Sequence, residues 1–269
     1  MTFRDMHKKG GPFVLANAWD IGSAKMLVAL GAKAIATSSA AHGFTLGLPD
    51  GTVTRDLALS HAESLVAAVN VPVQGDFENG WGDDPDTVAE TVRLAAEIGL
   101  AGICIEDTVL PGQAPYDRAL AVERIRAAAA AARALPRDFF LVARADGCLT
   151  GGYDLSEALA RVRGYDMAGA DGIYVPAPGT LADLAAVVAA TDKPVNALAA
   201  GPFLSHNRAD FAAIGVARIS LGSSLARATH RVIRDAGQAM FGAGDFSPMA
   251  NGLSGAEVDG YLKDNTNEP

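Results

Sequence analysis

The sequence predicts an α/β fold, an eight-stranded (β/α)8 TIM barrel, and three observations carry that prediction. First, short apolar runs rich in Val, Ile and Ala recur along the 269 residues, separated by longer segments of helical periodicity. Their hydrophobicity is continuous rather than alternating, as in strands buried on both faces. Second, Gly31, Gly99, Gly169 and Gly215 each close a helical segment just before such a run, as in Gly-Ala-Lys-Ala-Ile and Gly-Ala-Asp-Gly-Ile. Glycine accepts the left-handed conformation that ends a helix, so its recurrence marks where each helix returns to a strand. Third, eight such units over about 240 residues match the usual size of this barrel. A doubly wound open sheet is the alternative, but no Gly-x-Gly-x-x-Gly follows the first strand.

Strands are expected at 13–19, 34–39, 71–78, 102–107, 139–146, 172–176, 194–199 and 218–223. Helices are expected at 54–69, 86–98, 117–135 and 155–168. Asp84 before Pro85 reads as an N-cap with proline in the first turn. The alanine run at 127–132 is high helix propensity rather than a linker. No break divides residues 1–242, the expected barrel domain, whereas 243–269 loosen through Gly244, Pro248 and Gly252 into a C-terminal tail. A tail of this kind, with a short helix at 255–262, either packs on a neighbouring subunit or frays.

Composition removes several function classes. Net charge is −9, with no block of Lys and Arg to neutralise phosphates, so neither a nucleic acid nor an acidic membrane is an expected partner. Cys104 and Cys148 are too few for a disulfide framework or a four-thiolate zinc site. Residues 1–10 lack the apolar run of a signal peptide, and no stretch approaches a membrane span. A soluble, acidic, cytoplasmic protein is expected.

In such a barrel the active site lies at the C-terminal ends of the strands. Four strands end in polar groups there: Thr37-Ser38-Ser39-Ala40, Asp76-Phe77-Glu78-Asn79-Gly80-Trp81-Gly82, Glu106-Asp107 and Arg144-Ala145-Asp146. Strand alternation puts Asp76 and Glu78 on one face with Phe77 opposite, and Glu106 arrives from the adjacent strand. Clustered carboxylates repel one another unless a cation sits among them, and a hard divalent ion with oxygen ligands is the economical one. Arg144 suits bidentate recognition of a substrate carboxylate, or it forms structural ion pairs with Asp146 or Glu106.

These same segments, with Asn17-Ala18-Trp19-Asp20-Ile21-Gly22-Ser23-Ala24, Leu46-Gly47-Leu48-Pro49-Asp50-Gly51 and Gly102-Ile103-Cys104-Ile105-Glu106-Asp107, occur in one order from about residue 11 to 230. That combination resembles the isocitrate lyase/phosphoenolpyruvate mutase superfamily. The resemblance implies a (β/α)8 barrel whose eighth helix is exchanged between subunits, a homo-oligomer (dimer or tetramer), and a Mg2+ site (Mn2+ as the substitute) acting on small 2-oxo or 2-hydroxy acids. It implies Asp76 as the direct metal ligand, with Asp50, Glu78 and Glu106 holding metal-bound waters. Backbone N–H groups at Ser38, Ser39 and Ala40 would receive a substrate oxygen, and Arg144 the carboxylate of a small substrate; Ser39, Glu106 and Arg144 form the implied catalytic set.

The loop after the fourth strand departs from the family. Lyases of the superfamily carry Lys-Lys-Cys-Gly-His, and the mutase and phosphonopyruvate hydrolase branch resembles Glu-Asp-Lys followed by Pro-Lys-Thr-Asn. Here Thr108, Gly112 and Ala114 stand at the lysine and asparagine positions, and residues 106–116 hold no Cys, Lys or His. By elimination, decarboxylation or another carbon–carbon cleavage of an oxaloacetate- or methylisocitrate-like acid, through a pyruvate-type enolate, is favoured. A phosphonomutase or C–P hydrolase and a non-catalytic carboxylate binder are the alternatives. Other residues stay open between two roles: His42 between substrate contact and a solvated loop position, Asn196 between substrate contact and a structural hydrogen bond, Cys148 between proton donor and packing. Tyr153 with Gly151-Gly152 would position the fifth loop.

Overall fold

The computed structural model describes residues 2–263. Eight parallel strands close into a barrel in the spatial order β1-β10-β9-β8-β7-β4-β3-β2. They are β1 (Phe13–Asn17), β2 (Ile35–Ala36), β3 (Val73–Asp76), β4 (Gly102–Glu106), β7 (Phe140–Arg144), β8 (Gly172–Tyr174), β9 (Val195–Leu198) and β10 (Arg218–Ser220). Strands β5 (Thr108–Val109) and β6 (Ala114–Pro115) form a separate antiparallel hairpin. The helices are α1 (Ile21–Ala29), α2 (Ser39–Thr45), α3 (Arg55–Ala68), α4 (Pro85–Glu97), α5 (Arg118–Arg133), α6 (Gly147–Thr150), α7 (Leu155–Ala168), α8 (Leu181–Ala189), α9 (Arg208–Ala213), α10 (Ser224–Ala243) and α11 (Gly255–Lys263).

The expected punctuation is present: Gly31, Gly99, Gly169 and Gly215 have φ of +103°, +90°, +101° and +87°. Asp84 caps α4 by accepting from the Thr87 N–H at 2.9 Å, with Pro85 in the first turn. Several strands are shorter than expected, because polar residues at their ends find other partners. Ser38 is not in a strand but caps α2, accepting from the Ala41 N–H, and Ser39 opens that helix. β3 stops at Asp76, and Glu78 sits in a left-handed turn at φ +45°, so simple alternation does not set its direction.

Apolar side chains fill two layers. The larger joins strands to helices, around Leu65, Val92, Leu100, Ile103, Leu141, Val162 and Ile173. The smaller lies inside the barrel and includes Leu15, Phe140, Val142 and Tyr174. Its lower end is stoppered by residues 3–7: Phe3 packs edge-on to Phe140, and His7 stacks on the same ring at 3.9 Å. The N-terminal stretch, which lacks a long apolar run in sequence, thus closes the bottom of the barrel.

Helix α10 stands apart from the barrel wall. Of its 20 residues only Ala226 and Ala236 are buried, and Phe241 is 90% exposed. The tail after it turns back, and α11 lies against α1 of the same chain. Among the described residues no helix is long and apolar enough to cross a membrane.

Strand β4 needs a glycine at its start: a Cβ on Gly102 would lie 2.1 Å from the carbonyl oxygen of its register partner Phe140. That contact is with backbone and cannot be relieved by a rotamer change. Gly102→Ala is therefore expected to cost about 2 kcal/mol, lowering Tm by about 4–8 °C in a thermal melt. An unchanged Tm would show that the β4–β7 pair is looser than this packing.

Candidate active site

Barrel closure brings the ends of β3, β4 and β7 together, and the β4–β7 register sets Glu106 beside Arg144. Arg144 Nε donates to Asp146 Oδ1 at 2.5 Å, and its Nη1 lies 3.1 Å from Glu106 Oε2 and 3.6 Å from Asp76 Oδ1. Its Nη2 has no partner among the described residues. Tyr174 lies under the guanidinium, with the ring centroid 5.5 Å from Cζ. These groups face a cleft of about 230 Å³ lined by Ser39, Asp50, Gly51, Glu78, Glu106, Thr108, Leu110, Gln113, Arg144, Asp146, Leu149 and Thr150. Three larger grooves are present: one of about 410 Å³ adjoins the cleft at Gly51, Glu78 and Leu110, and two of about 670 and 680 Å³ run along helices α10 and α5–α7.

Each side chain is held by its own element. The Asp76 carboxylate accepts the N–H and the hydroxyl of Ser39 at 3.0 and 3.1 Å, while the Asp76 N–H donates to Thr37 Oγ1 at 2.8 Å. The expected backbone donor at Ser39 is therefore engaged by a carboxylate. Trp81 Nε1 donates to the Val53 carbonyl at 2.8 Å, tying the loop that carries Asp50 to the turn that carries Glu78. Arg124, buried within α5, donates to the carbonyls of Asn79 and Gly82 and braces that turn from behind.

Asp107 faces away from the cleft and organises its floor. Its Oδ1 accepts the Asp146 N–H at 2.8 Å; its Oδ2 accepts from Tyr153 and Tyr165 hydroxyls at 2.7 Å each and from Arg161 at 3.0 Å. Tyr153 thus does hold the segment after β7, through Asp107. Nothing in the sequence separates Arg124 or Arg161 from the solvated arginines of the same helices, and only the packing reveals them.

Two residues turn elsewhere. His42 is not part of the cleft lining; it lies on α2 and stacks on His61 at 3.7 Å. Asn196 makes the structural hydrogen bonds, donating to Ser220 Oγ at 2.8 Å and accepting from Arg218 Nε at 2.9 Å. Cys104 is buried inside the barrel and Cys148 is half-buried on α6; burial raises both thiol pKa values, which disfavours the thiolate.

The electrostatics are those of crowded carboxylates. Burial, then Asp76 and Asp50, pushes the Glu78 carboxyl up to about 8. Burial also raises Glu106 well above the usual range, with Arg144 pulling the other way, and raises Asp50, which Asp76 raises further. For Arg144 burial opposes the charge, but Asp146 and Glu106 outweigh it. Glu78 Oε1 is buried with no hydrogen-bond partner. Among the described residues no three His, Cys, Asp or Glu side chains are already drawn together as a ligand cage. An ion that keeps its own waters and uses few direct carboxylates does not need one. The all-oxygen donors, the surplus negative charge and the orphaned Glu78 oxygen fit a hard divalent cation.

Comparison with known proteins places the chain in a family. The model of the family described as phosphoenolpyruvate phosphomutase matches residues 3–241. An uncharacterized protein of Mycobacterium tuberculosis (strain ATCC 25618 / H37Rv) is 37% identical over 225 residues, covering 83% of this chain and 82% of the relative. The 2,3-dimethylmalate lyase of Eubacterium barkeri is 36% identical over 177 residues, 61% of this chain and 58% of that enzyme. Among solved structures, a provisionally assigned lyase/mutase from Burkholderia cenocepacia J2315 superposes with a TM-score of 0.92 at 41% identity, covering 97% of this chain and 94% of that one.

The raised Glu78 value has a measurable sign. Folded Glu78 keeps a proton that the unfolded chain releases above about 4.5, so its contribution to stability is complete below that pH. The contribution is lost as pH rises through about 8, and the curve then levels. In metal-free protein, Glu78→Gln is expected to flatten this fall in Tm. Parallel wild-type and mutant curves across the window would refute the raised pKa.

Proposed function

The chain belongs to the phosphoenolpyruvate mutase/isocitrate lyase superfamily, and from that premise we propose that it is a Mg2+-dependent lyase or decarboxylase that breaks a carbon–carbon bond of a small 2-oxo or 2-hydroxy acid. One observation carries the reading: a single guanidinium, Arg144, set among Asp76, Glu106 and Asp146 in a small polar cleft. Its free Nη2 edge offers a substrate carboxylate two N–H groups. The volume of about 230 Å³ suits an acid of a few carbons.

Asp76 would hold the cation directly, and Asp50, Glu78 and Glu106 through water. When bound, the ion supplies positive charge where a substrate oxygen becomes negative. For oxaloacetate, loss of CO2 breaks one C–C bond, and the electron pair left behind delocalises into the 2-oxo group as the enolate of pyruvate. One proton then yields pyruvate. No Lys, His or Cys lines the cleft, so a rim carboxyl or water provides that proton. Ser39 keeps Asp76 oriented through two hydrogen bonds, and Asp107, through Asp146, keeps Arg144 from swinging out.

The same cleft argues against phosphoryl chemistry, which would place lysine at Thr108 or Gly112. The family description and a provisionally assigned phosphonomutase at 35% identity keep that reading alive as the second one. The decisive assay follows pyruvate release from oxaloacetate with Mg2+, against buffer plus metal and Asp76→Ala, with 2,3-dimethylmalate and phosphonopyruvate as parallel substrates. Enzyme-dependent release from a C–C substrate, reduced about 10²-fold or more in Asp76→Ala, is the expected result. Release from phosphonopyruvate alone would move the assignment to the second reading. No release from any, with no Mg2+-dependent Tm shift by oxalate or pyruvate, would sink the metal-enolate site and put the binder or inactive-barrel reading first.

We also infer a homo-oligomer in which α10 packs on a second copy, because Val232, Ile233 and Phe241 are exposed along it at 54%, 66% and 90%. Light scattering after size exclusion should give a dimer or tetramer, and Ile233→Asp should reduce it to monomer. A monomeric wild type would overturn this.

A further inference from the structure

Below Asp76 and Arg144, inside the barrel, lies a second cavity of about 50 Å³ whose walls include Arg218, Gln74, Asn196, Cys104, Tyr174 and Ser220. Arg218 is 3% exposed, and among the described residues no Asp or Glu oxygen lies within 4.0 Å of it. Its partners are all neutral: Nε donates to Asn196 Oδ1, and Nη1 to Gln74 Oε1 and toward His7 Nε2 at 3.3 Å. Burial, then the Arg218 charge, pushes His7 down to about 3, so the imidazole stays neutral and adds no negative charge. Burial lowers Arg218 only to about 10, which leaves it a cation at neutral pH. A buried charge without a counter-charge is costly, and proteins normally pair it.

The rest of the lining offers several donors without a protein partner. The Tyr174 hydroxyl, the Cys104 thiol, Gln74 Nε2 and Arg218 Nη2 donate to nothing among the described residues, and Ser220 Oγ only accepts. The amide oxygens are used: Asn196 Oδ1 and Gln74 Oε1 by Arg218, Asn17 Oδ1 by the N–H groups of Leu221 and Gly222. Water in such a space can pair with the Tyr174 and Ser220 hydroxyls but leaves the Arg218 charge uncompensated. The one carboxylate on the wall, Asp76, forms the roof with its oxygens turned to Ser39 and Arg144. At about 50 Å³ the space holds a few waters or one halide, not a dicarboxylic acid.

We propose that this cavity is a binding site for a small inorganic anion, chloride in the cell, held by Arg218 with the Tyr174 and Ser220 hydroxyls. Asp76 and Arg144 form its roof, so it adjoins the catalytic cleft from below, but it does not depend on the reaction assigned there. The ion neutralises the buried guanidinium and accepts hydrogen bonds from it and from the two hydroxyls.

Two measurements test it. Crystals grown or soaked in bromide should show an anomalous peak within hydrogen-bonding reach of Arg218 and Tyr174. In parallel, Tm in sodium chloride should exceed that in sodium gluconate of equal ionic strength, by about 3–5 °C at a tenfold excess over Kd. Arg218→Met should abolish the difference and Tyr174→Phe should shrink it, and the latter carries the test if the former does not fold. No peak at Arg218, or bromide at surface arginines alone, together with equal melting in the two salts, would overturn the proposal.

Discussion

The arrangement of this barrel mouth follows from one electrostatic constraint: Asp50, Asp76, Glu78, Glu106 and Asp146 share a rim with a single guanidinium, that of Arg144. Like charges so close cannot all be ionised in a partly dry cleft without cationic compensation. Arg144 spans three of them, and the rest of the charge is met by holding Glu78 protonated or by admitting a cation. Rim geometry and the raised pKa of Glu78 are two faces of that one imbalance.

Precision at the rim comes from behind it. Asp107 gathers Tyr153, Tyr165, Arg161 and the Asp146 amide on one carboxylate, joining the end of β4 to the segment after β7. Arg124 does the equivalent for the turn after β3, donating to carbonyls that a strand end would otherwise leave without partners. Both arginines belong to helices whose other faces are ordinary alanine-rich packing surface. The loops that line the cleft are thereby anchored to helices, which favours a pre-formed cleft over one assembled on binding.

The hairpin of β5 and β6 lies over one side of the cleft, contributing Thr108, Leu110 and Gln113. It carries no ionisable side chain into the lining, so it shapes and dries the cleft without adding a proton donor. A barrel with a carboxylate rim and a neutral hairpin is suited to reactions in which charge stabilisation does most of the chemistry.

The barrel was legible from the sequence because its signals are local. Continuous apolar runs and four helix-ending glycines depend only on backbone conformation and burial, and the glycines all take positive φ. The rim residues Asp76, Glu78, Glu106 and Arg144 were legible too, since charged groups that close an apolar strand are too costly to bury unpaired and so collect at the barrel mouth. What the sequence left open, packing decided. Whether Ser39 offers its N–H to a ligand or to Asp76, and whether His42 faces the cleft or His61, depends on turns of a few residues. Arg218 stands in plain view within an apolar strand, yet only barrel closure shows that its partners are all neutral. Local propensity sets which segments are strands and helices; the pairing of charges is set by residues far apart in the chain, and exists only once the barrel has closed.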